Sequence, residues 1–422
     1  MNNSKAVSVK YYKTPSAVCV RDVNGKNMVF IPSESTHTSK VLILNTVAFE
    51  IVTLLETPRT VHELVSALSS RYPAVKEKIP ADIKRCLDSL RVNGIVKELG
   101  SFQGNVLLVY PFCRNKKNYE PVPLMGVLTL ANIINKAGAD AKVYDFQLAK
   151  SDTRDFLRHM RENQYDVVGF SVNTVNVEEA LTLSAAVKAL LPNVRIIFGG
   201  PHATFEYERL LSNMPQIDMV FLGESENTIM AGLDFLFSDG MGVPPEGIAY
   251  RKNGTVMGGA RNMRPVDIDA LSVLDFSSVI NLADPREYTA YPILTTRGCP
   301  FDCSYCASSA FWKRKFRLRS IDNVMDEIRA AKERYGFKMF LIEDDTLTAD
   351  KKRFLEFCSK MKQEDVQWSA LSRVDCIDET VVHEMKASGC AVVFLGIETL
   401  NECTLRVIHK FRENMCGGRE SL

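Results

Sequence analysis

Residues 295–306 read TTRGCPFDCSYC and place three cysteines, Cys299, Cys303 and Cys306, in a C-x3-C-x2-C spacing. Three thiolates this close on one loop can hold three corners of a cubane iron–sulfur cluster. One iron is then left open to a small molecule, as reactive metal sites require. The alternative is a structural zinc loop, but such sites usually pair two C-x2-C knuckles. No cysteine or histidine occurs in the thirty residues after Cys306.

The segments around this loop predict the start of a parallel α/β barrel. Apolar runs at residues 293–295, 339–342, 368–371 and 392–396 predict four strands, and the helix after Ser320 carries Val324, Ile328 and Ala331. Cys299 then lies on the loop at the carboxyl end of the first strand, where such barrels carry their chemistry. Polar residues follow the later strands: Asp344 and Asp345, then Arg373, then Glu398.

The cysteine spacing, with Tyr305 directly before the last cysteine, resembles the signature of radical S-adenosylmethionine (SAM) enzymes. The resemblance implies a [4Fe-4S] cluster on the three cysteines, with SAM chelated by the open iron. An electron from the cluster then cleaves SAM to a 5′-deoxyadenosyl radical. Such a reaction also implies an electron donor such as flavodoxin or ferredoxin.

The same resemblance suggests roles for the strand-end residues. Asp344 or Asp345 could meet the SAM amino group, and Glu398 the ribose. Arg373 could pair with the SAM carboxylate, because guanidinium and carboxylate groups match in geometry. The alternative for each is a solvated ion pair. A basic run follows the cysteine loop and either lies in solvent or faces an anionic cofactor tail: Arg314, Lys315, Arg317 and Arg319.

Residues 104–240 predict a doubly wound parallel sheet, since apolar strand runs alternate there with helical segments. No G-x-G-x-x-G follows the first strand, which argues against a nicotinamide dinucleotide. Three short pieces resemble the cobalamin-binding domain that precedes many radical SAM barrels: Pro123–Gly126, Gly199–Thr204 and Gly223–Glu226. Residues 241–289, which include a hairpin-like stretch, are predicted to be a linker.

The cobalamin resemblance implies that the Gly199-Gly200 and Gly223-Glu224 loops admit the corrin by close backbone approach. No Asp-x-His-x-x-G occurs, so no protein histidine is expected as the lower axial ligand of cobalt. His202 is the one histidine in these loops, and it either touches the cofactor or structures the loop.

Residues 1–100 predict a small winged-helix-like unit of three helices and short strands. The Asn24-Gly25 turn predicts a hairpin, Thr60 a helix N-cap and Asn93-Gly94 a helix end. The spaced apolar positions resemble the PqqD-like family, which implies binding of the leader segment of a precursor peptide. In that family the leader adds a strand to a sheet edge, here expected around Met28 to Ile31. A DNA-binding winged helix is the alternative, but no helix carries a basic face.

Composition excludes little but is consistent with this interpretation. The chain has 422 residues, enough for two or three domains, and a net charge of +1, which predicts no general attraction to nucleic acid or membrane. Eleven cysteines, an odd number spread along the chain, do not resemble a secreted disulfide framework, and no apolar run approaches the length of a membrane span. A reducing cytoplasm is therefore expected.

Only four barrel strands are found in residues 290–422, whereas a radical SAM barrel normally has six. The expectation is therefore a truncated barrel, and the chain is either a fragment or completed by a partner. The function expected is cobalamin-dependent radical SAM modification of a precursor peptide, and methyl transfer is the modification favoured. The alternatives are a radical cyclase or epimerase without methyl transfer, and an inactive chain that only binds a leader peptide.

Overall fold

The structure is a computed structural model of the chain. It describes residues 10–13, 18–21, 27–31, 40–55, 59–73, 78–92, 95–99, 102–111, 120–148, 152–238, 244–262, 265–271 and 273–410. The chain divides into two compact units, one made of Met1–Gln103 with Thr228–Ile248 and the other of Gly104–Asn227 with Ala249–Leu422.

The first unit combines two small antiparallel sheets with three consecutive helices, as the sequence predicts. Its elements are β1 (Lys10–Lys13), β2 (Val18–Arg21), β3 (Asn27–Ile31), β4 (Lys40–Leu44), α1 (Thr46–Leu54), β5 (Arg59–Thr60), α2 (Val61–Arg71), α3 (Ile79–Val92) and β6 (Val96–Leu99), with α8 (Ile229–Phe237) added from later in the chain. The helices bury Ile51, Leu64 and Leu87 in one core. The predicted turns Asn24-Gly25 and Asn93-Gly94 lie outside the described residues.

The predicted peptide-binding edge is wrong. The strands are ordered β5-β1-β6 in one sheet and β2-β3-β4 in the other. Residues Met28 to Ile31 form most of β3, which pairs with β2 on one side and with β4 on the other. A central strand has no free backbone groups with which to bind another strand. Among the described strands, the edges of this sheet are β2 and β4, and β4 exposes 46% of Val41 and 66% of Ile43.

The second unit begins with the predicted doubly wound domain. Its elements are β7 (Asn105–Tyr110), α4 (Met125–Lys136), β8 (Asp140–Asp145), α5 (Thr153–Glu162), β9 (Val167–Ser171), α6 (Val177–Leu190), β10 (Arg195–Gly199), α7 (Pro201–Asn213), β11 (Met219–Phe221), β12 (Ile248–Lys252) and β13 (Thr255–Gly258). The sheet order is β13-β12-β11-β10-β9-β7-β8. Strands β8, β7, β9, β10 and β11 run parallel, so their carboxyl ends share one edge.

The segment expected to be a linker contributes to this sheet. Strands β12 and β13 form an antiparallel hairpin that extends it beyond β11. Later in the same segment, Val279 bridges Val143 of β8, and the Asn281 amide donates to the Asp145 carbonyl at 2.7 Å. The segment is therefore fixed to the sheet at two places.

The radical SAM part of the unit contains β14 (Tyr291–Ile293), β15 (Thr296–Arg297), α9 (Ala307–Trp312), β16 (Arg317–Leu318), α10 (Ile321–Tyr335), β17 (Met339–Ile342), α11 (Lys351–Met361), β18 (Gln367–Arg373), α12 (Glu379–Ala387), β19 (Cys390–Gly396) and α13 (Glu402–Val407). Strands β14, β17, β18 and β19 form a parallel sheet in that order, which confirms the four predicted strands. A small antiparallel pair, β15 with β16, flanks the cysteine loop.

The fold class is therefore the α/β combination that the sequence predicts. In the part of the chain that the structure describes, every helix is too short or too polar to cross a bilayer.

Candidate active site

The cysteine loop leaves the carboxyl end of β14 and is shaped by one glycine. Gly298 has φ +92°, and a Cβ atom there would lie 2.0 Å from the carbonyl oxygen of Lys315. The residue must therefore be glycine for the loop to pack against the chain that follows α9. Cys299 and Cys303 are buried and Cys306 is half-buried, and the Cys306 amide donates to the Cys303 carbonyl at 3.1 Å.

The donor chemistry of this loop fits an iron–sulfur cluster. Burial raises the pKa of Cys299, partly offset by the Phe301 amide and the Thr346 hydroxyl, so an electropositive centre would be needed to hold the thiolate. Three thiols on one loop match a cluster that leaves one iron open, whereas a structural zinc site takes four protein ligands.

Arg373 lies against the cysteine loop, and each of its three guanidinium nitrogens donates a hydrogen bond. Its Nη1 donates to Cys303 Sγ at 2.9 Å, and Nε and Nη2 donate to the Asp375 carboxylate at 2.8 and 2.7 Å. The guanidinium also lies 4.0 Å from the centroid of the Phe301 ring. The ion pair with Asp375 is buried, not solvated, because the two side chains are only 7% and 1% exposed. This geometry holds a positive charge beside the Cys303 sulfur.

The two predicted aspartates after β17 lie in different environments. Side chains alternate along a strand, and Asp344 continues the buried row of Phe340 and Ile342. Its carboxylate accepts from the Thr295 amide at 2.7 Å, the Thr295 hydroxyl at 2.6 Å and the Thr296 amide at 2.9 Å. These bonds hold the base of the cysteine loop and leave Asp344 without access to a ligand. Asp345 is exposed, and it remains the candidate of the two for SAM.

A large cavity opens beside the same strand end. It has a volume of about 410 Å³ and is lined from the radical SAM part by Met339, Leu341, Glu343, Ser369 and Phe394, and from the doubly wound domain by Tyr110, Pro123, Leu124 and Gln147 among others. Glu343 lies in this concavity, where solvent reaches it but burial and then the Asp344 charge raise its pKa to about 7. No role for Glu343 was predicted from the sequence. Its position two residues before Asp345 could have indicated one, because side chains two apart on a strand share a face.

Glu398 and Tyr305 meet through a residue that sequence analysis also missed. The ammonium of Lys410 donates to Glu398 Oε1 at 2.8 Å and to the Tyr305 hydroxyl at 3.0 Å. Lys410 is only 4% exposed, whereas Tyr305 is 51% exposed. Glu398 has φ +63°, an unfavourable backbone conformation for a non-glycine residue that is often found at functional sites. A lysine in an otherwise featureless segment gave no sequence signal for this contact.

The loops predicted to face cobalamin converge at the carboxyl edge of the doubly wound sheet. Gly200 has φ +98°, and a Cβ there would lie 2.8 Å from the Val172 carbonyl oxygen. The His202 ring lies 3.1 Å from the Thr174 hydroxyl, and Thr204 accepts from the Gly223 amide at 2.9 Å. Gly199 ends β10 beside these residues. Gly223 has φ +75° and faces open space, so its backbone is accessible to a ligand.

Glu224 is directed towards the radical SAM part. Its carboxylate accepts from Arg297 Nη1 at 2.5 Å and from Arg317 Nη2 at 2.7 Å, while Glu226 accepts from Arg297 Nη1 at 2.8 Å. Burial disfavours the charge on Arg297, but the two carboxylates outweigh this and raise its pKa. The pairing could not be read from sequence, because its partners are separated by about seventy residues.

The basic run after the cysteine loop has no common role. Arg317 pairs with Glu224, and Arg319 is 5% exposed and pairs with Glu327 at 2.5 Å. Arg314 pairs with Asp302 at 2.6 Å on the surface, and Lys315 is exposed. The structure therefore divides the run between buried ion pairs and a surface turn.

Comparison with protein families finds three matches along the chain. Residues 30–96 match the coenzyme PQQ synthesis protein D (PqqD) family, residues 117–232 the B12 binding domain and residues 293–415 the radical SAM superfamily. This combination confirms the resemblances drawn from the sequence.

Curated relatives are similar to the middle and carboxyl-terminal parts. An uncharacterized methyltransferase of Pyrococcus horikoshii is 30% identical over 293 residues, covering 68% of this chain and 63% of the relative. An anaerobic magnesium-protoporphyrin IX monomethyl ester cyclase of Synechocystis is 26% identical, covering 69% and 60%. A bacteriochlorophyllide d C-12(1)-methyltransferase of Chlorobaculum tepidum is 28% identical, covering 66% and 58%. The chain thus spans about three fifths of the length of these relatives.

Solved structures share the fold. The cobalamin-dependent S-adenosylmethionine radical enzyme OxsB, with aqua-cobalamin and S-adenosylmethionine bound, matches with a TM-score of 0.61 at 18% identity, over 75% of this chain and 48% of that one. The radical SAM methyltransferase TsrM from Kitasatospora setae matches with a TM-score of 0.60 at 16% identity, over 72% and 61%. The chain belongs to the radical SAM superfamily, in the group that carries a B12 binding domain before the radical SAM domain, and it has a PqqD domain ahead of both.

Proposed function

We propose that this chain acts as a cobalamin-dependent radical SAM methyltransferase on a ribosomally made precursor peptide. The observation that carries the proposal is the cysteine loop, with its three thiols at the carboxyl end of β14, in the same compact unit as the convergent glycine loops of the B12 binding domain. The relatives that are named as methyltransferases support methyl transfer.

The residues of the radical SAM part have separate tasks in this proposal. Cys299, Cys303 and Cys306 would hold a [4Fe-4S] cluster, with Arg373 donating to Cys303. Asp345 and Glu343 present carboxylates at the strand end, where they can orient a cationic amino group. The bound cluster, SAM and cobalamin would together supply a carbon-centred radical and a methyl donor. The chain's part is to hold and orient these groups and to shield the reacting carbon from water.

In the B12 binding domain, the backbone at Gly199, Gly200 and Gly223 would lie against the corrin. His202 is held by Thr174, so we propose that it structures the loop and does not ligate cobalt. His202→Ala should therefore leave the spectrum of bound hydroxocobalamin unchanged. A spectrum of imidazole-ligated cobalt that disappears in this variant would contradict this assignment.

The PqqD match supports a precursor peptide as the substrate, with its leader added as a strand to β4. Because β4 exposes Val41 and Ile43, Ile43→Lys should weaken binding of a leader peptide to the full chain, measured by fluorescence anisotropy. Val382→Lys is a matched control, since Val382 is 53% exposed on α12 of the other unit. Equal affinities for the two variants would argue against the β4 edge.

Incubation with a deuteromethyl-labelled SAM, hydroxocobalamin, a reductant and candidate short peptides from neighbouring open reading frames tests the reaction. A peptide that gains one labelled methyl group supports the proposal. A cyclised or epimerised peptide without added mass would favour the second candidate, which the similarity to an anaerobic cyclase supports. Binding without any turnover would favour a carrier role.

An acidic one-electron carrier such as flavodoxin or ferredoxin is the proposed reductant. The exposed turn after α9 supports this, because Lys313, Arg314 and Lys315 lie just beyond the cysteine loop, and the structure describes no ion pair for the two lysines. Charge complementarity of this kind speeds association. Lys313→Glu with Lys315→Glu should slow reduction of the cluster by flavodoxin but not by dithionite, whereas Lys352→Glu with Lys386→Glu should change neither rate. A reducing cytoplasm is the proposed location, because an oxygen-sensitive iron–sulfur cluster would need reducing conditions.

A further inference from the structure

The loop after β11 is connected to the cysteine loop by a cluster of four charged side chains, Glu224, Glu226, Arg297 and Arg317, which we call the ion-pair clamp. Arg297 Nη1 donates to Glu224 at 2.5 Å and to Glu226 at 2.8 Å, and Arg317 Nη2 donates to Glu224 at 2.7 Å. Two carboxylates thus meet two guanidinium groups, and the charges balance.

The ion-pair clamp is mostly buried, which makes the loss of any one member costly. Its four side chains are between 8% and 18% exposed. The guanidinium carbons of Arg297 and Arg317 also lie 5.9 and 5.6 Å from the centroid of the Trp312 ring. Removing one partner from such a group leaves an uncompensated buried charge, so its members favour a single arrangement.

The ion-pair clamp lies between two backbone segments that face the proposed cofactors. Arg297 precedes the tightly packed Gly298, which is followed by Cys299. Glu224 follows Gly223, whose amide donates at 2.9 Å to the hydroxyl of Thr204, close after the Gly199-Gly200 loop. A shift in either loop must therefore move or break the contacts that hold the other. Within the clamp, the one described contact of Glu226 is with Arg297.

We propose that Glu224 and Glu226 are positioning residues that couple the cobalamin-facing loop to the cluster-bearing loop, so that loading of one cofactor favours binding of the other. This inference rests on the proposed function, since it needs both cofactors. A cluster that orders the cysteine loop also orders Arg297 and, through it, residues 223–226. Cobalamin then binds a loop that is already ordered, and the entropy lost on binding is smaller. Linkage requires the same factor in the reverse direction.

The test compares hydroxocobalamin affinity of the full chain with and without its reconstituted cluster. In the wild type, the cluster should tighten binding by a factor of roughly 5 to 150, the usual range for coupled sites. In Glu226→Gln the factor should fall, because Arg297 loses one of its two carboxylate partners. Glu364→Gln is the matched control, because Glu364 is a 7% exposed carboxylate paired with Arg329 and Lys332 on the radical SAM helices. The Glu364→Gln variant should be less stable than the wild type, but the cluster should tighten its hydroxocobalamin binding by the same factor.

A second readout does not require cobalamin. Hydrogen exchange of residues 222–227 should slow when the cluster is loaded into the wild type and into Glu364→Gln, and it should slow by less in Glu226→Gln. A wild-type factor of one, or a Glu226→Gln variant with wild-type coupling and exchange, would overturn the inference while leaving the proposed function intact. Failure of the chain to take up iron or cobalamin would overturn both.

Discussion

Two strands of the second unit have similar apolar sequences and opposite environments. Strand β9 reads VVGFS and buries Val168 completely, while β19 reads CAVVFLG and leaves Val392 45% and Phe394 57% exposed. The difference is in their neighbours, because β9 lies between β10 and β7 under α6, whereas β19 pairs only with β18 among the described strands. An apolar run therefore predicts a strand, but its burial depends on what covers it.

The largest expected effect is on backbone protection. Amides of β9 should exchange only through global unfolding, which for a stable domain costs roughly 5–15 kcal/mol. Amides of β19 should exchange through local opening at a small fraction of that cost, because one side of the strand has no described partner. Hydrogen exchange with mass spectrometry measures both in one sample. Equal protection of the two strands would contradict the difference in burial described for them.

Truncation of one aromatic side chain in each strand should give the next largest difference. Phe170 is 2% exposed, and the centroid of its ring lies 5.5 Å from that of Phe198. Phe170→Ala should therefore lower the free energy of unfolding by about 3–5 kcal/mol. Phe394→Ala should change the free energy of unfolding by less than about 0.5 kcal/mol, since the ring is mostly in solvent. Urea unfolding checks this, and a comparable loss in both variants would show that β19 is covered in solution.

The two cofactor loops should differ in how well they tolerate replacement of their glycines. Gly298→Ala forces a Cβ against the Lys315 carbonyl, so the cysteine loop should rearrange and lose most of its iron on reconstitution. Gly223→Ala has room and meets only the strain of its positive φ, roughly 1–2 kcal/mol, so iron loading should stay normal. Iron content per chain is the measurement. Full iron loading of Gly298→Ala would contradict the packing described for this loop.

The smallest effect concerns the pH dependence of stability. The folded chain raises the pKa of Glu343 from its ordinary 4.5 to about 7, so between these values the folded state holds a proton that the unfolded chain has released. The free energy of unfolding therefore falls as the pH rises through this window. Glu343→Gln should remove that part of the fall, which makes the variant relatively more stable at pH 8 than at pH 5. Parallel stability curves for the variant and the wild type would contradict the raised pKa.

Local patterns were enough to predict the elements around the site. The helix predicted after Ser320 is α10, which buries Val324, Ile328 and Ala331, and the four strands of the radical SAM sheet lie where their apolar runs predicted. Helix α5 was missed because only Phe156 and Met160 among its ten residues are buried, which leaves little apolar periodicity. Helix α7 was read as part of a glycine loop, although Pro201 at its first turn is a known helix-start signal.

Side-chain partners were harder to predict, because they depend on residues distant in sequence. Glu224 was assigned to the cobalamin loop, yet its carboxylate binds two arginines of the radical SAM part. Alternation along β17 distinguishes Asp344 from Asp345, but only once the sheet order shows which face is covered. The position of Met28–Ile31 was predicted wrongly for the same reason. These residues were expected at a sheet edge but lie in a central strand, and strand order within a sheet cannot be deduced from local sequence.

The central claim is that one chain holds an iron–sulfur cluster on three cysteines and cobalamin on a separate set of loops. Anaerobic reconstitution with iron, sulfide and hydroxocobalamin, followed by metal analysis, tests it most directly. About four irons and one cobalt per chain are expected, and in the variant with Cys299, Cys303 and Cys306 all changed to Ala the iron should be lost while an excess of hydroxocobalamin still loads the cobalt. A chain that keeps one zinc and takes up no iron would contradict it.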